Sequence, residues 1–298
     1  MMVSRSMKTV RTVAELRGAL APARREGSTV GLVPTMGAFH DGHLSLFRAA
    51  RAECDVVVVS LFVNPSQFGQ GEDFESYPRD IDGDAALAHR EGVDLLLLPS
   101  LREVYPPGFS TTVEVGGLGE TLCGAPGSRG AAHFRGVTTV VTKLVNMCQP
   151  DVAYFGAKDF QQARVIKQLV RDLDMPVRIE VCPTVRDEDG LALSSRNTYL
   201  SDLDRRRALA LKRALDAAEQ AIRDGVTGAT EVVSAARNEL TSAGVEPEYV
   251  EVVSTHDLKP LEEIGGEEVL VAIAARVGRA RLIDNVVVAP KEAVTKAV

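Results

Sequence analysis

The stretch from Val30 to Leu46, Val-Gly-Leu-Val-Pro-Thr-Met-Gly-Ala-Phe-His-Asp-Gly-His-Leu-Ser-Leu, constrains the fold of this chain more than any other. Val30, Leu32 and Val33 form the short apolar run of a buried strand. Pro34 and Gly37 break that run. Leu44 and Phe47 then recur at helical spacing. A strand, a glycine-bearing turn and a helix in that order begin a βαβ unit, and in open α/β sheets ligands bind at the carboxyl ends of strands. The start of the helix also favours a bound phosphate, through its backbone N–H groups and its dipole. His40 and His43 stand there with Gly42 between them. Imidazoles in that position donate hydrogen bonds to phosphate oxygens and, if protonated, offset developing charge. Gly42 has no side chain, so a ligand can approach the backbone closely. The same pair is compatible with two capping or surface histidines. A structural zinc needs about four ligands. No cysteine or carboxylate pattern nearby supplies the others, so no residue is assigned to a metal.

The chain around this unit repeats the alternation. Val10 to Glu26 has apolar positions Val13, Leu16 and Leu20 at helical spacing. Val56 to Val59 is a continuous apolar run, as in a strand buried on both faces of a parallel sheet. A helix over Asp80–Glu91 and a strand over Val93–Leu98 follow, then a strand over Asp151–Phe155 and a helix over Phe160–Leu173 that Asp159 can cap. A further strand is expected over Val177–Val181. Pro106 to Gly136 is glycine-rich and irregular, with a short strand expected at Thr112–Val115 and a helix from Val137 to Met147. The character changes after Ser201, where Ser201-Asp202-Leu203-Asp204 reads as a helix cap. Two helices, to Arg223 and over Glu231–Ala243, precede three strands at Glu248–Val253, Glu268–Ala275 and Arg281–Val288. The pattern predicts an α/β fold: a parallel sheet flanked by helices over residues 1–184, then a smaller α+β C-terminal domain over 185–298.

Composition narrows the function. A net charge of −7 argues against a broad nucleic-acid surface, which needs a basic footprint. The longest apolar runs are far too short to span a bilayer. Cys54, Cys123, Cys148 and Cys182 are scattered and read as buried or incidental thiols in a reducing compartment, so a cytoplasmic location is expected. The first few residues are expected to form a loose arm.

The remaining candidates fall at strand ends and in loops. Asn64 and Gln67 are amides just after the Val56 strand, suited to hydrogen bonds with a small ligand or simply to turn formation. Gly69 to Arg79 is glycine-rich and acidic and reads as a mobile lid or a surface loop. His133 and Arg135 are expected in a loop before the Val137 helix, within reach of an anion or solvated. Lys158, in Gly156-Ala157-Lys158-Asp159, can act as a point charge on phosphate. Gln161 and Gln162 start the next helix with one or both facing the cleft. Ser194-Ser195-Arg196 combines short donors with a guanidinium fork. Donors and cations gathered at strand ends are the equipment of nucleotidyl transfer, in which catalysis is mostly positioning and charge stabilisation at phosphorus. A P-loop and a serine nucleophile elbow are both absent.

Several of these motifs together resemble one family, the pantoate–β-alanine ligases. Pro34-Thr35-Met36-Gly37-Ala38-Phe39-His40-Asp41-Gly42-His43 resembles its adenylate-binding turn, a form of the His-x-Gly-His signature of nucleotidylyltransferases. Phe62-Val63-Asn64-Pro65-Ser66-Gln67-Phe68, Tyr77-Pro78-Arg79, His133-Phe134-Arg135-Gly136-Val137 and Leu191-Ala192-Leu193-Ser194-Ser195-Arg196-Asn197 match in the family's order. The resemblance runs from about Thr9 to Val288. It implies a Rossmann-like nucleotide- and pantoate-binding domain with a C-terminal domain closing over the ATP site. It implies ATP-dependent condensation of pantoate with β-alanine through pantoyl adenylate, with Mg²⁺, in a cytoplasmic homodimer. It assigns ATP binding to Met36, Gly37, Ala38, Phe39, His40, Asp41, Gly42, His43, Gly156, Ala157, Lys158, Asp159, Val185, Leu193, Ser194, Ser195 and Arg196. It places His43 in the catalytic role and Gln67 and Gln162 in substrate binding; the reading of the residues adds His40 and Lys158 to the first group and Asn64 to the second. The chain departs from the family at Ala157, where Glu or Gln is usual. Two other readings share the turn: a nucleotidylyltransferase that builds a dinucleotide, and a nucleotide sensor without chemistry. The product separates the first, and binding without pyrophosphate release marks the second.

Overall fold

In the computed structural model, which describes residues 7–290, the apolar runs assemble into a six-stranded parallel sheet. Its elements in chain order are β1 (Lys8–Val10), α1 (Val13–Arg25), β2 (Val30–Thr35), α2 (Asp41–Glu53), β3 (Val56–Leu61), α3 (Ile81–Arg90), β4 (Leu95–Leu97), α4 (Leu101–Val104), α5 (Ala131–Cys148), β5 (Val152–Gly156), α6 (Phe160–Asp172) and β6 (Arg178–Cys182). The strand order is β1-β4-β3-β2-β5-β6. The chain runs outward from β2 through β3 and β4, then returns to place β5 and β6 on the other side. The order therefore reverses between β2 and β5, and a crevice opens there at the carboxyl ends.

Period-two alternation divides the strands between two cores. Leu32, Val58, Leu97 and Phe155 face α1, α5 and α6. Val33, Val59, Leu96 and Tyr154 face α2 and α3. Both faces are covered, which is why β3 reads as unbroken valine. Pro34 does not end β2 as expected but sits within it, paired opposite Ser60 of β3. Val30 bonds toward the β5 side, so by alternation a Pro34 N–H would point the same way. The β2–β5 pairing stops at Leu32 and Ala153, so the missing donor is not needed.

The C-terminal part comprises α7 (Asp202–Arg223), α8 (Ala229–Ser242) and an antiparallel sheet of β7 (Pro247–Ser254), β8 (Val269–Val277) and β9 (Ala280–Val288). Ser201 caps α7 as its sequence predicts, accepting from Asp204 N–H at 3.2 Å. Val271, Ile273 and Ala275 of β8 pack under α7 and α8. Leu270 and Ala272, on the opposite face, pack against Phe134 of α5 and Val165 of α6. The small sheet is thus the shared wall between the two halves of the chain.

Four expectations need correction. β1 was hidden because Lys8 and Thr9 are exposed on an edge strand and give no apolar run. No strand forms at Thr112–Val115, whose residues stay irregular. His133 and Arg135 lie inside α5, which starts six residues before Val137. Asp159 precedes α6 without making a side-chain cap bond. The expected loose arm lies outside the described residues, save for its last members in β1. All four cysteines are buried and free.

Candidate functional site

The crevice between β2 and β5 opens into a cavity of about 240 Å³. His40 and His43 enter it from the start of α2, Lys158 from the end of β5, Gln67 from the turn after β3, and Ser194 and Arg196 from the loop before α7. Met36, Gly42, Asn64, Gly156, Asp159, Gln162, Val185, Leu193 and Ser195 complete the part of the wall predicted from sequence. Gly37, Ala38, Phe39, Asp41 and Ala157 do not line it. Asp41 faces solvent, 3.9 Å from Arg48.

The two histidines are capping residues and cavity residues at once. His40 is the N-cap of α2, and its Nδ1 accepts from Gly42 N–H at 3.2 Å. His43 Nδ1 accepts from His40 N–H at 3.4 Å. This is a capping box built from two imidazoles. Accepting at Nδ1 leaves the proton of each neutral ring on Nε2. Burial, then Lys158, lowers the His40 pKa to about 4. Burial, then His40 and Lys158, lowers that of His43 to about 3. Both rings are therefore neutral donors near pH 7, not the cations the sequence left open. Gly42 also has a reason other than ligand approach. A Cβ there would stand 2.9 Å from the His40 ring.

Five of the backbone donors expected to bind phosphate are used inside the protein. Ala38 and Phe39 N–H donate to Asp84, His40 and Gly42 N–H to the imidazoles, and His43 N–H to the His40 carbonyl. At these five positions anion binding falls to side chains.

Lys158 sits in a short 3₁₀ turn that β9 holds in place. Asn285 Nδ2 donates to the Lys158 carbonyl at 2.8 Å and to that of Ala157 at 3.1 Å. Ala157 thus contributes its backbone carbonyl, and its side chain does not line the cavity. Ser195 Oγ is committed to the Ala38 carbonyl at 3.2 Å. Arg196 makes a bidentate pair with Asp73 at 2.8 and 2.9 Å and lies over the Tyr77 ring. Glu72, the preceding residue, makes a second bidentate pair with Arg129 at 2.9 and 2.5 Å. The acidic segment expected to be mobile is therefore pinned by two consecutive carboxylates on two site cations.

The amides divide into those that bond outward and those that brace. Asn64 Nδ2 donates to Gln67 Oε1 at 3.0 Å and to the Gly136 carbonyl at 3.2 Å. Its Oδ1 accepts from Tyr105 OH and Ser66 Oγ. Asn64 is thus spent inside the protein and orients Gln67 instead of reaching a ligand. With Oε1 taken, Gln67 presents its Nε2 donor, which also touches Met36 Sδ at 3.2 Å. Gln161 is spent on Cys123 N–H and the Leu118 and Thr121 carbonyls. Gln162 is the member of that pair on the cavity wall.

Arg129 and Asp84 escaped the sequence reading, because nothing in their neighbours distinguishes them. Arg129 donates to the Gln67 carbonyl at 3.2 Å. His133 Nε2 lies 3.2 Å from Arg129 Nη1, so Nδ1 carries the proton and donates to the same carbonyl at 2.8 Å. Burial, then Arg129, lowers the His133 pKa to about 4. Arg135 is exposed and lines neither this cavity nor the adjoining one. That second cavity, about 310 Å³, lies between the acidic segment and the C-terminal sheet and shares Lys158, Gln162 and Arg196.

Close packing at Gly136 holds this bracing together. A Cβ there would overlap the Ser66 carbonyl and stand 2.7 Å from Gln67 Cα. Gly136→Ala is expected to destabilise the protein by about 1–3 kcal/mol, as overpacking does. It should also raise KM for a ligand bound at the Gln67 amide. Thermal unfolding and steady-state kinetics check the two effects, and an unchanged KM would show that Gln67 does not move.

A helix-flanked parallel sheet with a cavity of neutral donors and cations at its switch point defines a nucleotide-handling α/β enzyme. The chain belongs to the pantoate–β-alanine ligase family, whose model matches residues 8–287. It is 53% identical to the pantothenate synthetase of Moorella thermoacetica, over 94% of this chain and 98% of that one. It is 50% identical to that of Thermotoga neapolitana, over 94% and 99%. The crystal structure of the Thermus thermophilus pantothenate synthetase superposes with a TM-score of 0.88 at 46% identity, covering 94% and 99% of the two chains. A Francisella tularensis pantoate–β-alanine ligase, solved with a β,γ ATP ligand and β-alanine, gives 0.78 at 33% identity, covering 94% and 97%.

Proposed function

We infer that this chain condenses pantoate with β-alanine at the expense of ATP. The products are pantothenate, AMP and pyrophosphate, and the intermediate is pantoyl adenylate. The observation that carries the assignment of this chemistry to the cavity is its single cluster of Lys158, Arg196, His40, His43 and Gln67 at the β2–β5 switch point.

A pantoate carboxylate oxygen attacks the α-phosphorus of ATP, and the bond to the β-phosphate oxygen breaks. The attack needs no proton removed, and pyrophosphate leaves as an anion. The site has to orient two anions and stabilise charge on the phosphoryl oxygens. Lys158 and Arg196 supply positive charge, and the Nε2–H groups of His40 and His43 supply fixed donors. Gln67 and Gln162 hold pantoate, and Gln67 also lies near β-alanine. The β-alanine nitrogen then attacks the acyl carbon, the bond to the AMP oxygen breaks, and the amine releases its proton. Val185 and Leu193 border the nucleotide.

Phosphate arriving at Arg196 competes with Asp73 for the same guanidinium, so the acidic segment acts as a lid released by ATP. Among the described residues there is no group of three or more His, Cys, Asp or Glu side chains suited to a metal. Mg²⁺ commonly needs only one or two carboxylates besides substrate phosphates, and Asp159 on the cavity wall fits that need. When bound with ATP, the ion would neutralise phosphate charge. No helix among the described residues is long and apolar enough to cross a membrane. Four free cysteines support a reducing, cytoplasmic setting. The active unit is a homodimer, each chain dividing near residue 184 into a Rossmann-like domain (1–184) and a smaller domain (185–298) that closes over ATP.

The deciding experiment is isotope exchange between ATP and pyrophosphate, with pantoate present and β-alanine absent. Exchange that depends on pantoate is expected. Binding of ATP without such exchange would overturn the adenylate route.

A further inference from the structure

The turn that delivers the two histidines has a backbone that needs holding. Gly37 and Ala38 take positive φ in succession, +88° and +53°. Ala38 has a Cβ, so its conformation is disfavoured and persists only where the surroundings impose it. Asp84 of α3 imposes it. Its Oδ2 accepts from Ala38 N–H at 2.8 Å, and its Oδ1 accepts from Phe39 N–H at 2.7 Å. The residue is 3% exposed. Gly37 closes over it so tightly that a Cβ would stand 2.9 Å from Oδ2. On the other side of the turn, Ser195 Oγ donates to the Ala38 carbonyl. A buried carboxylate is costly unless hydrogen-bonded, and here burial pushes its pKa up while the two N–H bonds oppose that rise.

We propose that Asp84 is a positioning residue for the ATP-binding turn. It draws the Ala38 and Phe39 N–H groups away from the cavity, sets the angle at which the chain enters α2, and so aims the Nε2–H donors of His40 and His43. The inference rests on the assignment of this turn to ATP. It gives Asp84 a role in the first half-reaction without contact to a reacting atom.

The test is Asp84→Asn, which keeps the shape but turns an N–H toward one of the two backbone donors. KM for ATP should rise and kcat/KM for ATP should fall by about 100-fold, the scale of a small displacement at a reacting centre. KM for β-alanine should stay the same. Ring-nitrogen NMR should show His40 and His43 losing their fixed Nε2–H tautomer. A structural role alone would lower Tm and leave KM for ATP and both tautomers as they were, and that result overturns the proposal. If Asp84→Asn does not fold, Asp84→Glu keeps the charge and displaces the carboxylate. It should raise KM for ATP in the same way, and an unchanged value is again fatal. His43→Ala separates the two layers of the argument. Full activity in that variant would reject the ATP assignment and this proposal with it. A crippled His43→Ala beside wild-type ATP kinetics in Asp84→Asn would reject the role of Asp84 alone.

Discussion

His43→Ala is expected to lower kcat by about 10²–10³-fold, the usual loss when one preorganised donor to a developing oxyanion is removed. The ring is buried and neutral, with its pKa lowered to about 3, and its Nδ1 is occupied by His40 N–H. It donates through Nε2 and has no proton to give in a step whose leaving group is an anion. His43→Gln retains an N–H near the Nε2 position and should recover part of the loss. A general acid would not be recovered by an amide. The sign of the pH effect follows from the direction of the shift. Both pKa values lie below 6.5, so the neutral form persists as pH falls through 6.5, and only near 4 for His40 and 3 for His43 does protonation remove the Nδ1 acceptor. NMR titration of the free protein should find neither ring titrating between pH 5 and 8. A break near 6.5 would mean that the rings are wetter and more cationic than this geometry allows.

Lys158→Ala should be at least as damaging, with kcat/KM for ATP falling by about 10³-fold. Arg196 and Arg129 each hold a carboxylate of the acidic segment, whereas Lys158 holds neither Glu72 nor Asp73. Arg196 must exchange one anion for another, which reduces the net gain from binding phosphate. Lys158 gives up neither of these carboxylates. It also lies close enough to both histidines to lower their pKa values. The His40 and His43 pKa values should therefore rise in the variant, which the same NMR titration would detect. If kcat held and only KM rose, Lys158 would bind ground state and transition state equally.

The strands and helices that carry this site could be read from the chain because each has a local cause. The valines of β3 announce a doubly covered strand, and Ser201 with Asp204 announces the start of α7. The His-x-Gly-His turn and the Ser-Ser-Arg loop were visible as residue types suited to phosphate, with capping or surface roles open beside that use. β1 was not legible, since two exposed residues and one buried valine become a strand only by pairing with β4. The expected cap at Asp159 failed for the opposite reason. Its residue type suits a helix start, but the side chain makes no cap bond and lies on a cavity wall.

The division of labour inside the site was beyond local reading. Composition and periodicity could point to a parallel α/β fold, and the ordered motifs to a resemblance to one family. They could not say that Asn64 is spent on Gln67 while Gln67 presents its donor, or that Ser195 holds Ala38. Nor could they say that the Ala38 and Phe39 N–H groups belong to Asp84, forty-six and forty-five positions away. Periodicity arises from neighbours three, four or two residues apart, so a sequence carries it in plain form. Hydrogen-bond partners are chosen by whatever the fold brings within about 3 Å. Only the tertiary structure decides which polar groups satisfy one another and which are left to meet a substrate.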